Sequence, residues 1–366
     1  MSHGEWSDGT RTVHAGLPEP VPGQPFMPGP QFAAPFAISP QGPGDGDSYG
    51  RAGNATLRAL ESAIGGLEGA PGCVVFSSGM AAVTGLLLSV LRPGDKVVVP
   101  ADGYYLTRLF ALKELAEFGI EVAAVPTEGP YDFTGVRLAL LETPANPGLE
   151  VCDIAALSAQ AHAAGALIAV DNTTATPLGQ QPLVLGADFA VASGTKALTG
   201  HSDILLGYVA ASSVDGLEAV RAWRTRTGAL PGPFEAWLAH RSLGTLDLRL
   251  ARQASNAGAA YELLRSSAAV RRAVWPGADP EAMKQLRRPP GVLVVEFADE
   301  ETAVRFLSGC ELIRPATSFG GLHSTADRRA QWPGETAVPG LVRLSCGCED
   351  PADLLADLQR GLQAAE

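Results

Sequence analysis

The sequence predicts an α/β protein in which a large, mostly parallel mixed sheet is followed by a smaller C-terminal α/β domain. Two observations carry this. Across residues 57–210 short apolar runs alternate with helical stretches, the pattern of parallel strands joined by crossover helices and covered on both faces. A chain of 366 residues also exceeds what one small core supports. The boundaries read as an N-terminal arm over 1–50, a large domain over 51–233, and a linking helix with a small domain over 234–366.

Taken in order, residues 17–47 are rich in Pro and Gly with few periodic apolar positions, which reads as an extended arm. The stripe Leu57, Leu60, Ile64 and Leu67 predicts a helix. Cys73–Phe76 reads as a strand that Ser77-Ser78-Gly79-Met80 turns into an apolar helix over 81–91. Unpaired N–H groups at such a helix start attract anions, and Gly79 lets the backbone approach a phosphate closely. After the turn Pro93-Gly94-Asp95, a buried strand over 96–99 leads to Asp102-Gly103-Tyr104-Tyr105. A strand over 138–141 delivers Glu142-Thr143-Pro144-Ala145-Asn146-Pro147, where two prolines stiffen the loop around Asn146. A helix over 153–164 precedes a strand over 167–170 that ends in Asp171. The apolar run Phe189–Ala192 ends in Ser193-Gly194-Thr195-Lys196. A long helix over 234–250 links the domains. Strands at Val292–Phe297 and 341–344, with helices near 301–307 and 352–362, build the smaller one.

Composition narrows the function classes. Hydrophobic residues at 46% and charged ones at 18% describe a globular protein with ample core material. A net charge of −12 with no basic stripe argues against nucleic acid or an anionic membrane as partner and leaves small metabolites. The five scattered cysteines read as reduced thiols of a cytoplasmic protein. Cys346-Gly347-Cys348 lacks the companion ligands of a zinc site, so no metal is expected. Residues 1–11 carry no apolar segment, and no apolar run is long enough to span a bilayer, so a cytoplasmic location is expected. No glycine fingerprint or Walker lysine follows a strand, which weakens a nucleotide-binding or dehydrogenase reading.

The chemistry is expected at Lys196. A lysine among apolar and hydroxyl groups loses hydration, its pKa falls, and its free amine becomes a nucleophile or Schiff-base partner. A snorkelling surface lysine is the plainer reading of that residue alone. Asp171, at the C-terminal edge of a parallel strand, faces the crevice where such sheets bind ligands, or else caps a helix. Together they are the pair pyridoxal phosphate requires: an amine for its aldehyde, and a carboxylate that keeps its ring nitrogen protonated.

These segments resemble the Cys/Met-metabolism family of pyridoxal-phosphate enzymes. The resemblance rests on Val170 to Pro177, Pro182 to Asp188, Ser193 to Lys196 and Gly200 to Asp203, and it extends over about residues 10–362. It implies a PLP-dependent transferase fold, aspartate aminotransferase-like and of fold type I. It further implies that Lys196, Asp171 and Tyr104 act in catalysis. Tyr104 is matched to a tyrosine that stacks on the cofactor ring, and Tyr105 is the alternative because the local sequence departs from the family pattern. Ser78, Gly79, Met80, Ser193 and Thr195 would cradle the cofactor phosphate, and Asn146 would bond its hydroxyl. Tyr49 and Arg51 would reach the phosphate of a neighbouring subunit, which suits arginine's planar fork. Leu341 to Asp350 matches a signature whose arginine, here Arg343, binds the substrate carboxylate. Ser318, Asn146 and Arg108 would complete the substrate contacts. The sequence departs at Thr174, where an aromatic residue is expected, and at His323, where glutamate is common and where the family places the distal pocket.

The resemblance therefore implies γ-elimination of cystathionine to cysteine, 2-oxobutanoate and ammonia by a cytoplasmic homotetramer built as a dimer of dimers. The alternatives are cystathionine γ-synthase or another γ-replacement on an activated homoserine ester, methionine γ-elimination, and a catalytically silent cofactor-binding scaffold.

Overall fold

Most strands of this chain are short and apolar, and the strands collect into two sheets. The computed structural model describes residues 6–42 and 44–366; residues 1–5 and 43 of the expected arm lie outside the described residues. In chain order the strands are β1 (Cys73–Phe76), β2 (Lys96–Pro100), β3 (Glu121–Val125), β4 (Val136–Glu142), β5 (Leu167–Asp171), β6 (Phe189–Ala192), β7 (Gly207–Ala211), β8 (Val270–Val274), β9 (Val292–Phe297), β10 (Arg314–Pro315), β11 (Thr325–Arg328) and β12 (Leu341–Ser345). The larger sheet has seven strands in the order β1-β7-β6-β5-β4-β2-β3. Its pairings from β3 through β2, β4 and β5 to β6 are parallel, and β7 runs antiparallel to both β6 and β1. The mostly parallel mixed sheet is thus as predicted. Every strand but β7 therefore ends on the same edge of the sheet, and a ligand crevice belongs at that edge.

Both faces are covered. On one, the helix Ala55–Glu68 turns Leu57, Leu60, Ile64 and Leu67, none more than 1% exposed, against β1, β7 and the helix Pro233–Leu243. Full burial of each such side chain contributes roughly 1.5–3 kcal/mol. The helix starts where the Asn54 side chain accepts the Leu57 N–H and stops at left-handed Gly69. On the other face, the helices Gly79–Val90 and Val214–Thr227 pack on Val74, Phe76, Val191 and Val209.

Two carboxylates lie under the helix Ala55–Glu68. Glu61 is paired at 2.5 Å with fully buried Arg224 and also accepts the Val75 N–H. Glu68 accepts a 2.5 Å hydrogen bond from the Tyr208 hydroxyl and one from Asn172, and burial pushes its carboxyl up to about 7.

The predicted helix over 234–250 is interrupted. The helix Pro233–Leu243 ends at Gly244, and a new one, Leu246–Arg265, begins after Thr245. The break leaves the Ser242 carbonyl outside a continuous helix, where it accepts a 3.0 Å bond from Arg249 Nη2.

The smaller sheet has five strands in the order β10-β11-β12-β9-β8, antiparallel except between β10 and β11. The helices Leu246–Arg265, Glu300–Gly309 and Pro351–Ala365 pack on it, the last two capped by the side chains of Asp299 and Asp350. The described residues among 15–54 lack helix, and Phe26 and Phe32 stand 83% and 71% exposed there. Among the described residues no helix is long and apolar enough to cross a membrane.

Candidate active site

The C-terminal ends of β1, β4, β5 and β6 open into a cavity of about 350 Å³, closed on the far side by the segment 317–319, Arg329, Trp332 and Arg343 of the smaller sheet's region. Lys196 stands in it. Its Nζ donates to Ser318 Oγ at 2.8 Å and lies 5.6 Å from the Phe319 ring centroid. Burial lowers the amine's pKa to about 8, and the guanidinium groups of Arg343 and Arg329 add to that push while Asp171 opposes it. The turn bearing the lysine is held from behind: Arg249 donates to the carbonyls of Ala197 at 2.7 Å and Leu198 at 3.0 Å. Ser318 has φ 76°, a region costly to residues with a Cβ. In that conformation its hydroxyl faces Lys196 and its carbonyl takes a 2.9 Å bond from Arg343 Nη2.

Asp171 and Glu142 are register partners at the ends of β5 and β4, both buried. Burial pushes Asp171 up, against the 2.5 Å and 3.0 Å hydrogen bonds it accepts from the Thr173 hydroxyl and N–H and against the charge of Lys196. Burial pushes Glu142 well up, and its neighbour Asp171 pushes it further. Glu142 also ties two loops together, accepting the Tyr104 N–H at 2.7 Å and the Asn146 N–H at 2.8 Å. Tyr104 and Tyr105 both line the cavity, their rings edge to face with centroids 5.3 Å apart. Burial raises the Tyr104 hydroxyl.

Ser78, Gly79 and Met80 line the cavity where the helix Gly79–Val90 begins, and Ser78 Oγ accepts the Ala81 N–H as cap. Gly79 has a steric reason: a Cβ there would sit 2.6 Å from the Cβ of Ser193, so the two loops approach only because it is absent. Thr195 also lines the cavity, but its hydroxyl donates to the Leu206 carbonyl and accepts the Leu206 N–H.

Arg343 lies mid-strand in β12, 3% exposed, its guanidinium 5.0 Å over the Phe319 ring. Nη1 donates to Asn146 Oδ1 at 2.5 Å, and Nη2 reaches Asp327 Oδ2 at 3.3 Å across the β11/β12 ladder. Asp327 also takes bonds from Arg329, Gln331 and Trp332, while Arg329 is paired a second time, to Glu335.

The structure thus brings together Lys196, Asp171, Tyr104, Ser78, Gly79, Met80, Asn146, Ser193, Thr195, Ser318 and Arg343. Others lie elsewhere. Arg108 does not line the cavity: its guanidinium is spent on the carbonyls of Ala101 at 2.6 Å and Gly334 at 2.7 Å. His323, expected beside the distal pocket, is exposed and outside the cavity lining. Tyr49 is 48% exposed and Arg51 bonds the Thr225 carbonyl; neither lines the cavity of its own chain. Sequence reasoning missed Asp327, Arg329, Trp332 and Arg249. It quoted Glu142 without giving it a role. The signal for the first two was a dense charged run, Asp327-Arg328-Arg329, in a chain of otherwise low charge.

Comparison with known proteins adds three findings. The profile of the Cys/Met metabolism PLP-dependent enzymes matches residues 37–363. A Streptomyces coelicolor protein, whose naming as a cystathionine gamma-lyase is itself provisional, is 51% identical over 97% of this chain and 93% of its own; an L-methionine gamma-lyase of Pseudomonas deceptionensis is 37% identical over 87% and 86%. The crystal structure of cystathionine gamma-synthase from Xanthomonas oryzae pv. oryzae, in complex with aminoacrylate and cysteine, superposes with a TM-score of 0.93 at 32% identity, covering 98% of both chains.

Proposed function

The chain belongs to the Cys/Met metabolism PLP-dependent enzymes, and on that premise we propose that it is a carbon–sulfur lyase that converts cystathionine and water to cysteine, 2-oxobutanoate and ammonia. The observation that carries the reading is Lys196, an amine held near pKa 8 within one cavity with Asp171, Tyr104 and Arg343. Among relatives that act as lyases or synthases, the 51% identity to the Streptomyces protein favours elimination from cystathionine.

The residues fit pyridoxal phosphate. With no Cβ at Gly79 the Ser193 loop packs directly against it, and both line the cavity at the positive end of a helix suited to a phosphate. Ser78, Met80 and Thr195 would join them, with Asn146 at the cofactor hydroxyl, and Tyr49 and Arg51 would serve the cavity of a neighbouring subunit in a homo-oligomer. When bound, the cofactor supplies an electron sink for negative charge developing on the substrate.

The chain's own groups do the rest. Lys196 Nζ, which gives up its proton more readily than an ordinary lysine, takes the substrate Cα proton; loss of a Cβ proton follows, and its electron pair expels the γ-sulfur. Asp171 would keep the cofactor's ring nitrogen protonated, and its burial would strengthen that pairing. Arg343, with Asn146 and Ser318 around it, orients the α-carboxylate. Tyr104 Oη, kept protonated by burial, delivers a proton to the departing sulfur.

Keto-acid release separates this reading from its neighbours. Purified enzyme should yield 2-oxobutanoate from cystathionine faster than from methionine, and faster than it forms cystathionine from an acylated homoserine and cysteine. Faster γ-replacement would reassign it as a synthase.

A further inference from the structure

Two arginines line the cavity, and their partners differ. Arg329 has both terminal nitrogens paired to carboxylates, Asp327 and Glu335. Arg343 has neutral partners, the Asn146 amide oxygen at 2.5 Å and the Ser318 carbonyl at 2.9 Å, and only a 3.3 Å contact with the shared Asp327. Positive charge is therefore least compensated at Arg343, which makes it the stronger anchor for an incoming carboxylate.

Asp327 creates that difference. It stands in β11 directly across from Arg343, its side chain 2% exposed, and is held from its other side by Trp332 Nε1 at 2.9 Å and Gln331 Nε2 at 3.0 Å. With Oδ1 occupied by those donors, Oδ2 is left to bridge Arg329 at 2.7 Å and Arg343 at 3.3 Å. Without it, two buried guanidinium groups would repel each other across the seam, and Arg343 Nη2 would keep only a backbone carbonyl.

We propose that Asp327 is a positioning residue, which from the seam between β11 and β12 fixes the guanidinium of Arg343 and so sets how tightly the site takes a substrate carboxylate. The proposal rests on the reading of Arg343 as the carboxylate anchor. Asp327 touches no substrate; it acts through Arg343, as the outer partner of a binding group commonly does.

The test compares two competitive inhibitors of the cofactor-loaded enzyme: L-norleucine, and n-pentylamine, which is the same molecule without its carboxylate. Arg343→Ala checks the underlying reading: it should weaken norleucine and leave pentylamine unchanged, and an equal effect on both would remove the carboxylate anchor itself. With that in place, Asp327→Asn is expected to raise the inhibition constant of norleucine about tenfold, a factor typical of one misplaced charge-assisted contact, with pentylamine within a factor of about two and KM rising more than kcat falls. Should the Asn variant not fold, Asp327→Glu keeps the charge while displacing it, and should shift norleucine alone, by less. Equal weakening of both inhibitors by the Asp327 variants, or no weakening of norleucine, overturns the proposal.

Discussion

At the scale of single residues, the site is organised by how burial is shared among charges. Lys196 loses affinity for its proton because water is excluded and two guanidinium groups are near, which places its titration near 8. Uptake of pyridoxal phosphate by the cofactor-free chain should therefore accelerate with rising pH through a midpoint near 8, followed as growth of the cofactor's visible absorbance. Arg343→Met removes a positive charge that disfavours the ammonium form, so the midpoint should move upward, by up to about one unit. Lys196→Ala should abolish the band. Ser318 offers a second test: Ser318→Ala deletes the hydroxyl facing Lys196 while the Ser318 carbonyl that meets Arg343 remains. It should lower kcat with little change in KM for cystathionine.

At the scale of elements, the helix Ala55–Glu68 and the segment 327–335 show two ways a chain can specify structure. The helix is legible because its burial is periodic. Leu60→Ala should cost about 2–5 kcal/mol, read as a lowered denaturation midpoint, since Leu60 is 0% exposed between sheet and helix. Five strands of the larger sheet, β1, β2, β4, β5 and β6, were legible for a related reason: apolar runs such as Phe189–Ala192 are buried on both faces. β11 was not legible. Asp and Arg are poor strand formers, and Thr325–Arg328 is a strand because its charges close an ionic cluster against β12, a tertiary cause that leaves no periodicity behind. The break at Gly244 was missed because the apolar pattern continues through it. Arg108 was read as a substrate contact because motif position identifies a side chain without giving its direction. It instead fastens the helix Tyr105–Phe110 to the carbonyls of Ala101 and Gly334, so Arg108→Ala should speed amide hydrogen exchange across 329–338 and next to Ala101, and leave the smaller sheet's helices unchanged.

At the scale of the whole molecule, buried acids make stability depend on pH, and the contribution of Glu68 can be isolated. Glu68 titrates near 7 when folded, against an ordinary 4.5, so the folded state binds the proton more tightly than the unfolded one. The sign follows: the fold incurs no penalty from this group below pH 4.5, loses stability as pH rises from there to 7, and levels off above that. Glu68→Gln keeps the shape and removes the titration. It should stabilise the protein at pH 8 by up to about 3 kcal/mol and barely at pH 4.5, measured by chemical denaturation at both values.

The arm carries Tyr49 and Arg51 away from the cavity of its own chain. If each serves the site next door, damage to the two halves is separable. An Arg51→Ala chain and a Lys196→Ala chain, each inert alone, should when unfolded and refolded together regain about a quarter of full activity, because a mixed dimer unites one undamaged lysine with one undamaged arginine. Two broken proteins would rescue each other, and no such recovery would mean that each chain closes its site alone.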